Sequence, residues 1–332
     1  MDQVIQLFFD GLALGSIYAL VALGFVVIYR SSQVFNFAQG EFLVFGGMMF
    51  WWFTSKPPEP AEMDMMEMAL AMDSMQPSPG GADDAWYPAL PWGVGLVLAM
   101  VSTGLLGVIT ERVALRPLLG KPVFVTIIVT IFLGLILRTL MVLKFGVDPH
   151  PLPTAWEQTA TVDMAGAKVN VKALVTIGAA AVALAGYFWV VKKTRLGVGM
   201  RATSSDQETA LGLGIPVGRI FGLSWFIAGA FAALGGMFLG MYPRMGIDIT
   251  TSFDALQAFQ AVIIGGLDSA AGAVIAGLAL GLSVVFAEVY LGKELLGNFG
   301  DGFHHVFPYL LMVAFLVLRP RGIFGTEKVE RV

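Results

Sequence analysis

Apolar stretches about as long as a bilayer is thick recur along this chain, and that recurrence restricts what it can fold into. A helix crossing the hydrocarbon core needs roughly 20 mostly apolar residues. Residues 5–29, 34–54, 92–110, 123–143, 173–191, 220–242, 270–290 and 303–318 meet or approach that length, and 253–267 is shorter. Inside a bilayer the backbone has no water to bond, so such stretches cross as helices. The expected class is an all-α polytopic membrane protein. Only 13% of the 332 residues are charged, against about a quarter in soluble domains, which excludes a soluble fold.

Charge then orients the stretches. Arg30, then Arg112, Arg116 and Lys121, then Lys192, Lys193, Arg195 and Arg201, then Arg319 and Arg321 fall on one side as the chain alternates. By the positive-inside rule that side is cytoplasmic, with the amino terminus periplasmic and the carboxyl terminus cytoplasmic. Opposite termini require an odd number of crossings, so 253–267 must cross or nearly cross. The total is about nine transmembrane or partly spanning helices. The first ten residues carry acids and no Lys or Arg, so the first stretch is expected to be a retained span, not a cleaved signal.

The loops on the other side differ in character. Residues 55–85 are rich in proline, acid and methionine. Without His or Cys, a flexible or locally helical insertion is preferred there over a soft-metal site. Residues 148–170 read as an ordered external loop with a short hairpin around Ala165-Gly166. Arg138, in the second half of its stretch, either lines a path or snorkels to the nearer surface, and snorkelling is the preferred reading.

Net charge is −4, so there is no basic surplus to attract nucleic acid, and the lack of cysteine excludes disulfides and thiolate metal sites. There is no phosphate-binding G-x-x-x-x-G-K-[ST] loop and no H-E-x-x-H helix. The His304-His305 pair reads as interfacial polar decoration. No cofactor and no metal is expected.

Two apolar stretches are interrupted. One opens with Asn36-Phe37-Ala38-Gln39-Gly40-Glu41, and the other ends in Gly265-Gly266-Leu267-Asp268-Ser269. Paired breaks in two halves are what transporters with midplane sites show, because unwound backbone is tolerated only where protein or water surrounds it. The plainer reading is that these glycines merely let helices pack, as Gly229, Gly235, Gly236 and Gly240 do on the sixth stretch. Glu41 and Asp268, beside the breaks, read as caps of half-helix ends.

The loop 192–218 is basic and polar between two spans. Ser205 followed by Glu208 matches a capping box. Asp206, Glu208, Ala210 and Leu211 suit a short helix with acids at its positive end. Gly212 or Gly214 stops it, and Pro216 prevents its resumption. The result is a short capped helix that a second protein can grip, unless the lysines and arginines serve only to orient the chain.

Together several blocks resemble one family. They are residues 35–41, the segment from Gly199-Met200-Arg201-Ala202 through Ala210 to Gly214-Ile215, Ala258-Phe259-Gln260-Ala261 with 264–269 and Gly272, and 319–325. The chain resembles the LivH-type permease subunits of bacterial ABC importers for branched-chain amino acids, whose relatives carry urea and short amides. The resemblance covers nearly the full length. It implies one permease domain over 1–332 in the bacterial inner membrane, paired with a second similar or identical permease. It also implies two cytoplasmic ATPase subunits and a periplasmic substrate-binding protein as partners. Gly199, Arg201, Ala202, Asp206, Glu208, Ala210 and Gly214 would then meet the ATPase. Asn36, Phe37, Gln39, Gly40, Gly265, Gly266 and Ser269 would lie near the substrate path. Gln39 stands where the family usually has His, which keeps a hydrogen-bonding side chain but removes a titratable one. A stand-alone channel or carrier would need an intramembrane charge network, and only Arg138, Glu41 and Glu288 offer themselves. An embedded enzyme would need a nucleophile–base or metal cluster, and none is visible.

Overall fold

The computed structural model describes residues 2–55, 90–118, 121–157, 159–164, 166–295, 303–319 and 322–325. The expected acidic methionine-rich loop, beyond Ser55, and the side chains of His304 and His305 lie outside the described residues. Eleven α-helices and one hairpin are present among them. Among the described residues six helices are long and apolar enough to cross a membrane, against the nine crossings and part-crossings expected, and one shorter apolar helix is 306–318.

α1, Asp2–Ser32, runs unbroken for 31 residues. It closes where Gln33 takes a φ of 56° and its N–H bonds to Tyr29 O at 2.8 Å, a left-handed cap that turns the chain back into the bundle. α2 begins only at Gln39 and ends at Thr54, so residues 34–38 of the expected span are not helical. α3, Trp92–Thr110, follows Pro91 and continues through a π-turn, Glu111–Leu115, and a 3-10 turn, Arg116–Leu118. α4 is Val123–Phe145 and α5 is Val171–Lys193. Between them β1, Thr161–Met164, pairs antiparallel with β2, Ala167–Asn170, placing Met164 opposite Ala167. The two-residue connection with Gly166 at φ 91° is the expected hairpin.

The loop after α5 holds two short helices, α6 (Arg195–Ser205) and α7 (Gln207–Gly212), before α8, Val217–Met241. A 3-10 turn, Ile249–Phe253, leads into α9, Asp254–Gly265. α10 is Ala270–Ala287, continued by a π-turn over Glu288–Leu295, and α11 is Phe303–Leu318.

Burial sorts these helices. The most apolar window of α1 is 94% buried and that of α8 is 83%, whereas α4 and α5 reach 22%. α1 and α8 are therefore the central posts, and α4 and α5 present outer faces such as Phe124, Leu143 and Val182 suited to lipid. Close approach explains the glycines. Gly11 and Gly15 on α1 meet Gly277 and Gly281 on α10, where an added Cβ would strike the opposing backbone; both pairs have the G-x-x-x-G spacing of tight membrane-helix crossings. On α8, Gly229 meets Thr103 O of α3 and Gly236 meets Leu43 O of α2.

The bundle has two distinguishable ends. At one, Arg116 bonds to Gly218 O at 2.8 Å and Gln207 to Ser31 O at 3.2 Å, so the basic segments after α1, α3 and α5 share it as the charge pattern implies. At the other, His150 pairs with Ile247 and stacks on Trp51 at 4.1 Å. Twelve residues make α9 about 18 Å long, too short to cross about 30 Å alone. The 3-10 turn and α9 together run from Ile249 to Gly265, and the following Gly266 lies beside Gly322 and Gly325.

Candidate functional site

The break before α2 sits deep inside the bundle. Asn36 Oδ1 accepts from Ala38 N at 3.1 Å, and Asn36 Nδ2 donates to Gln39 Oε1 at 3.1 Å. Gln39 Nε2 in turn donates to Ala228 O at 3.2 Å. Ala228 lies halfway along α8, so Gln39 is anchored near mid-membrane depth. Thr130 Oγ1 on α4 donates to Phe35 O at 3.3 Å and accepts from Phe37 N at 3.4 Å. Unwound backbone at this depth is tolerated because protein groups bond it. Asn36 and Gln39 are therefore internal ties, both essentially fully buried.

Phe37 and Gly40 face a cleft of about 220 Å³ between α1, α2, α4 and α9. Its aromatic wall is continuous: the Phe259 ring lies 5.9 Å from Phe37 and 5.3 Å from Phe25. Gly40 is packed so closely that a Cβ there would come within 2.5 Å of Ser252 O, which brings the starts of the two short helices together. Glu41, in the first turn of α2, also lines this cleft. Ser252, whose hydroxyl donates to Ile249 O at 2.9 Å, lines the cleft beside it. Arg138 lies 5.3 Å over the Phe253 ring.

Gly265, Gly266 and Ser269 are not brought to the same place. Gly265 is six residues beyond Phe259, about 9 Å further along α9. The carbonyls that this helix end leaves open are met from the carboxyl-terminal segment, Ile323 N to Ile264 O at 2.8 Å and Phe324 N to Gly265 O at 3.2 Å. Gly266 needs its φ of 102° to turn there. Ser269 caps α10, accepting from Gly272 N at 3.0 Å.

The basic loop is more built than expected. The expected capping box at Ser205 and Glu208 is not formed; a side-chain cap one residue later takes its place. Ser205 is the last residue of α6, and Asp206 caps α7, accepting from Glu208 N at 2.9 Å and Thr209 N at 3.0 Å. A carboxylate at 206 reaches both amides, whereas Ser205 is held in the preceding helix. The Thr209 backbone N–H, then its hydroxyl, and the Glu208 N–H hold the Asp206 carboxyl below the usual aspartate range. A depressed value means the cap's contribution is present above the unfolded pKa of about 3.9. It is lost as pH falls through the folded value, so the cap is intact near neutrality. Ala210 is buried with Val217 and Phe221 of α8. Arg201 donates to Val191 O at the end of α5, Ala202 is half-buried, and Gly199 lies against Ile220. Gly214 turns the chain at φ 78°. Glu208 is exposed, and so are Leu211 and Leu213, the latter at 76%.

A family model described as the branched-chain amino acid transport system permease component matches residues 7–316. The chain belongs to this permease family. Among curated relatives, the high-affinity branched-chain amino acid transport permease LivH of Escherichia coli K12 is 28% identical over 99% of this chain and 97% of its own length. BraD of Pseudomonas aeruginosa is 27% identical over 99% and 98%. The probable LivH of Methanocaldococcus jannaschii is 25% identical over 96% and 92%. No solved structure matches the chain. As a permease component it is a multi-pass membrane protein and a transport subunit.

This permease holds a second cavity that reading by stretches missed. About 510 Å³ lies between α1, α8, α9 and α10, on the far side of α9 from the first cleft. Tyr18 donates to Gln257 within it, and Arg244 pairs with Asp254 at 2.9 Å. Asp10 and Glu288 line it too. The signal was available in Asp10 inside the first span and in Arg244 ten residues before Asp254. Asp10 has no charged residue at helical spacing, and Arg244 has a nearer acid at i+4, Asp248, with which it also pairs at 3.5 Å.

Proposed function

We propose that this chain is the membrane subunit of an ATP-binding cassette importer that moves branched-chain or other hydrophobic amino acids into the cell by alternating access. The observation that carries the reading is the break at Asn36–Gly40. Unwound backbone tied to the middle of α8 lies beside a small aromatic cleft, where a solute can meet fixed polar groups away from water. The names of the curated relatives support the substrate class.

Four partners complete the machine: a second permease, two cytoplasmic ATPases and a periplasmic binding protein. The basic end faces the cytoplasm, and the segment Gly199 to Gly214 receives the ATPase. Its fit to that role is mechanical. α7 is tied to α1 through Gln207 and Ser31, and to α8 through Ala210, while Glu208, Leu211 and Leu213 remain outside for a partner.

The test is uptake by the co-expressed complex in proteoliposomes. ATP-dependent accumulation of L-leucine delivered by the binding protein is the expected result. Uptake without ATP would indicate a stand-alone channel or carrier. ATP-driven uptake of urea or short amides with no leucine transport would overturn the substrate class.

A further inference from the structure

The cleft beside the α2 break contains a carboxyl group whose hydrogen bonding is incomplete. Glu41 is 9% exposed, and its Oε2 is buried without a hydrogen-bond partner. The nearest hydroxyl in the lining, that of Ser252, donates to Ile249 O at 2.9 Å and not to Glu41. A buried anionic oxygen lacking a donor is costly unless something completes it. The rest of the lining is apolar: Phe25, Phe37, Phe259, Ile131 and Leu256. At about 220 Å³ the space lies below the ~300–1,000 Å³ of pockets for drug-sized ligands, so its occupant is small.

We infer that Glu41 receives the primary ammonium of a transported amino acid, with the aliphatic side chain among the phenylalanines. Arg138 stacks on Phe253, which lines the cleft, but is not itself part of the lining, so it is assigned no contact with the solute. The assignment of Glu41 rests on the importer reading above and adds the residue that recognises the solute. It also separates amino acids from urea and amides, which carry no cation to meet Glu41. A cleft built only for packing would have no reason to keep a carboxylate facing phenylalanine rings.

The experiment uses the whole complex in proteoliposomes, with L-leucine as probe. Glu41→Gln is expected to lower ATP-driven uptake at least tenfold while the variant still co-purifies with its partners. The double variant Glu41→Gln/Arg138→Gln distinguishes recognition from a structural ion pair. A substrate role predicts no recovery, and recovery to near wild-type uptake would overturn the inference, as would Glu41→Gln within twofold of wild type. Should Glu41→Gln fail to assemble, Glu41→Asp decides. A raised half-saturation for L-leucine at similar maximal rate supports recognition, and an unchanged value overturns it. A wild-type complex inert to L-leucine would instead refute the proposed substrate class, and this inference with it.

Discussion

At the scale of single residues, Asn36 carries more of the architecture than its size suggests. Its two side-chain atoms satisfy Ala38 N and Gln39 Oε1, and Gln39 passes the tie on to α8. Leucine at 36 strands a buried donor and a buried acceptor, each worth about 1–3 kcal/mol. We expect Asn36→Leu to lower the thermal midpoint of the purified complex and to slow uptake, with the partners still co-purifying. Unchanged uptake kinetics would show that the break does not position the path. The sequence announced this residue through a polar run at the mouth of an apolar stretch. It could not show that Asn36 and Gln39 bond each other and leave Phe37, Gly40 and Glu41 to face the cleft, because that depends on how the loop folds back against Thr130 and Ala228. Arg138 escaped for the same reason: its stacking on Phe253 joins residues roughly a hundred positions apart.

Among elements, span lengths were legible because hydrophobic length is a local property. α3 and α11 match the expected 92–110 and 303–318, and the hairpin at 165–166 follows from its turn chemistry. What failed was local regularity imposed on segments that depend on distant partners. α6 has no apolar run to announce it. α9, by contrast, ends at the expected break at Gly265, where the N–H groups of Ile323 and Phe324 donate to its last carbonyls. The helix crossings are testable directly. Gly281 lies against the Gly15 backbone, where a Cβ has no room, and forced overpacking typically costs about 1–3 kcal/mol. Gly281→Val should therefore reduce thermal stability and yield of the permease. Gly178, which has open space around its Cβ position, should tolerate the same change. Equal effects at the two positions would contradict the close α1–α10 crossing.

For the whole molecule, the two functional regions lie at different depths and share α1 and α8. The mid-bundle break hangs from Ala228 of α8, and the external helix α7 is pinned to Ser31 of α1 and to Val217 and Phe221 of α8. In the proposed importer, a displacement of α7 by an ATPase partner would bear on both central posts, on α1 through Ser31 and on α8 through Val217 and Phe221. The most direct measurement is the ratio of L-leucine uptake to ATP hydrolysis in the reconstituted complex carrying Arg201→Ala and Glu208→Ala. The account expects normal membrane insertion, uptake reduced to background, and hydrolysis no longer accelerated by the loaded binding protein. Normal uptake with normal stimulation would contradict it.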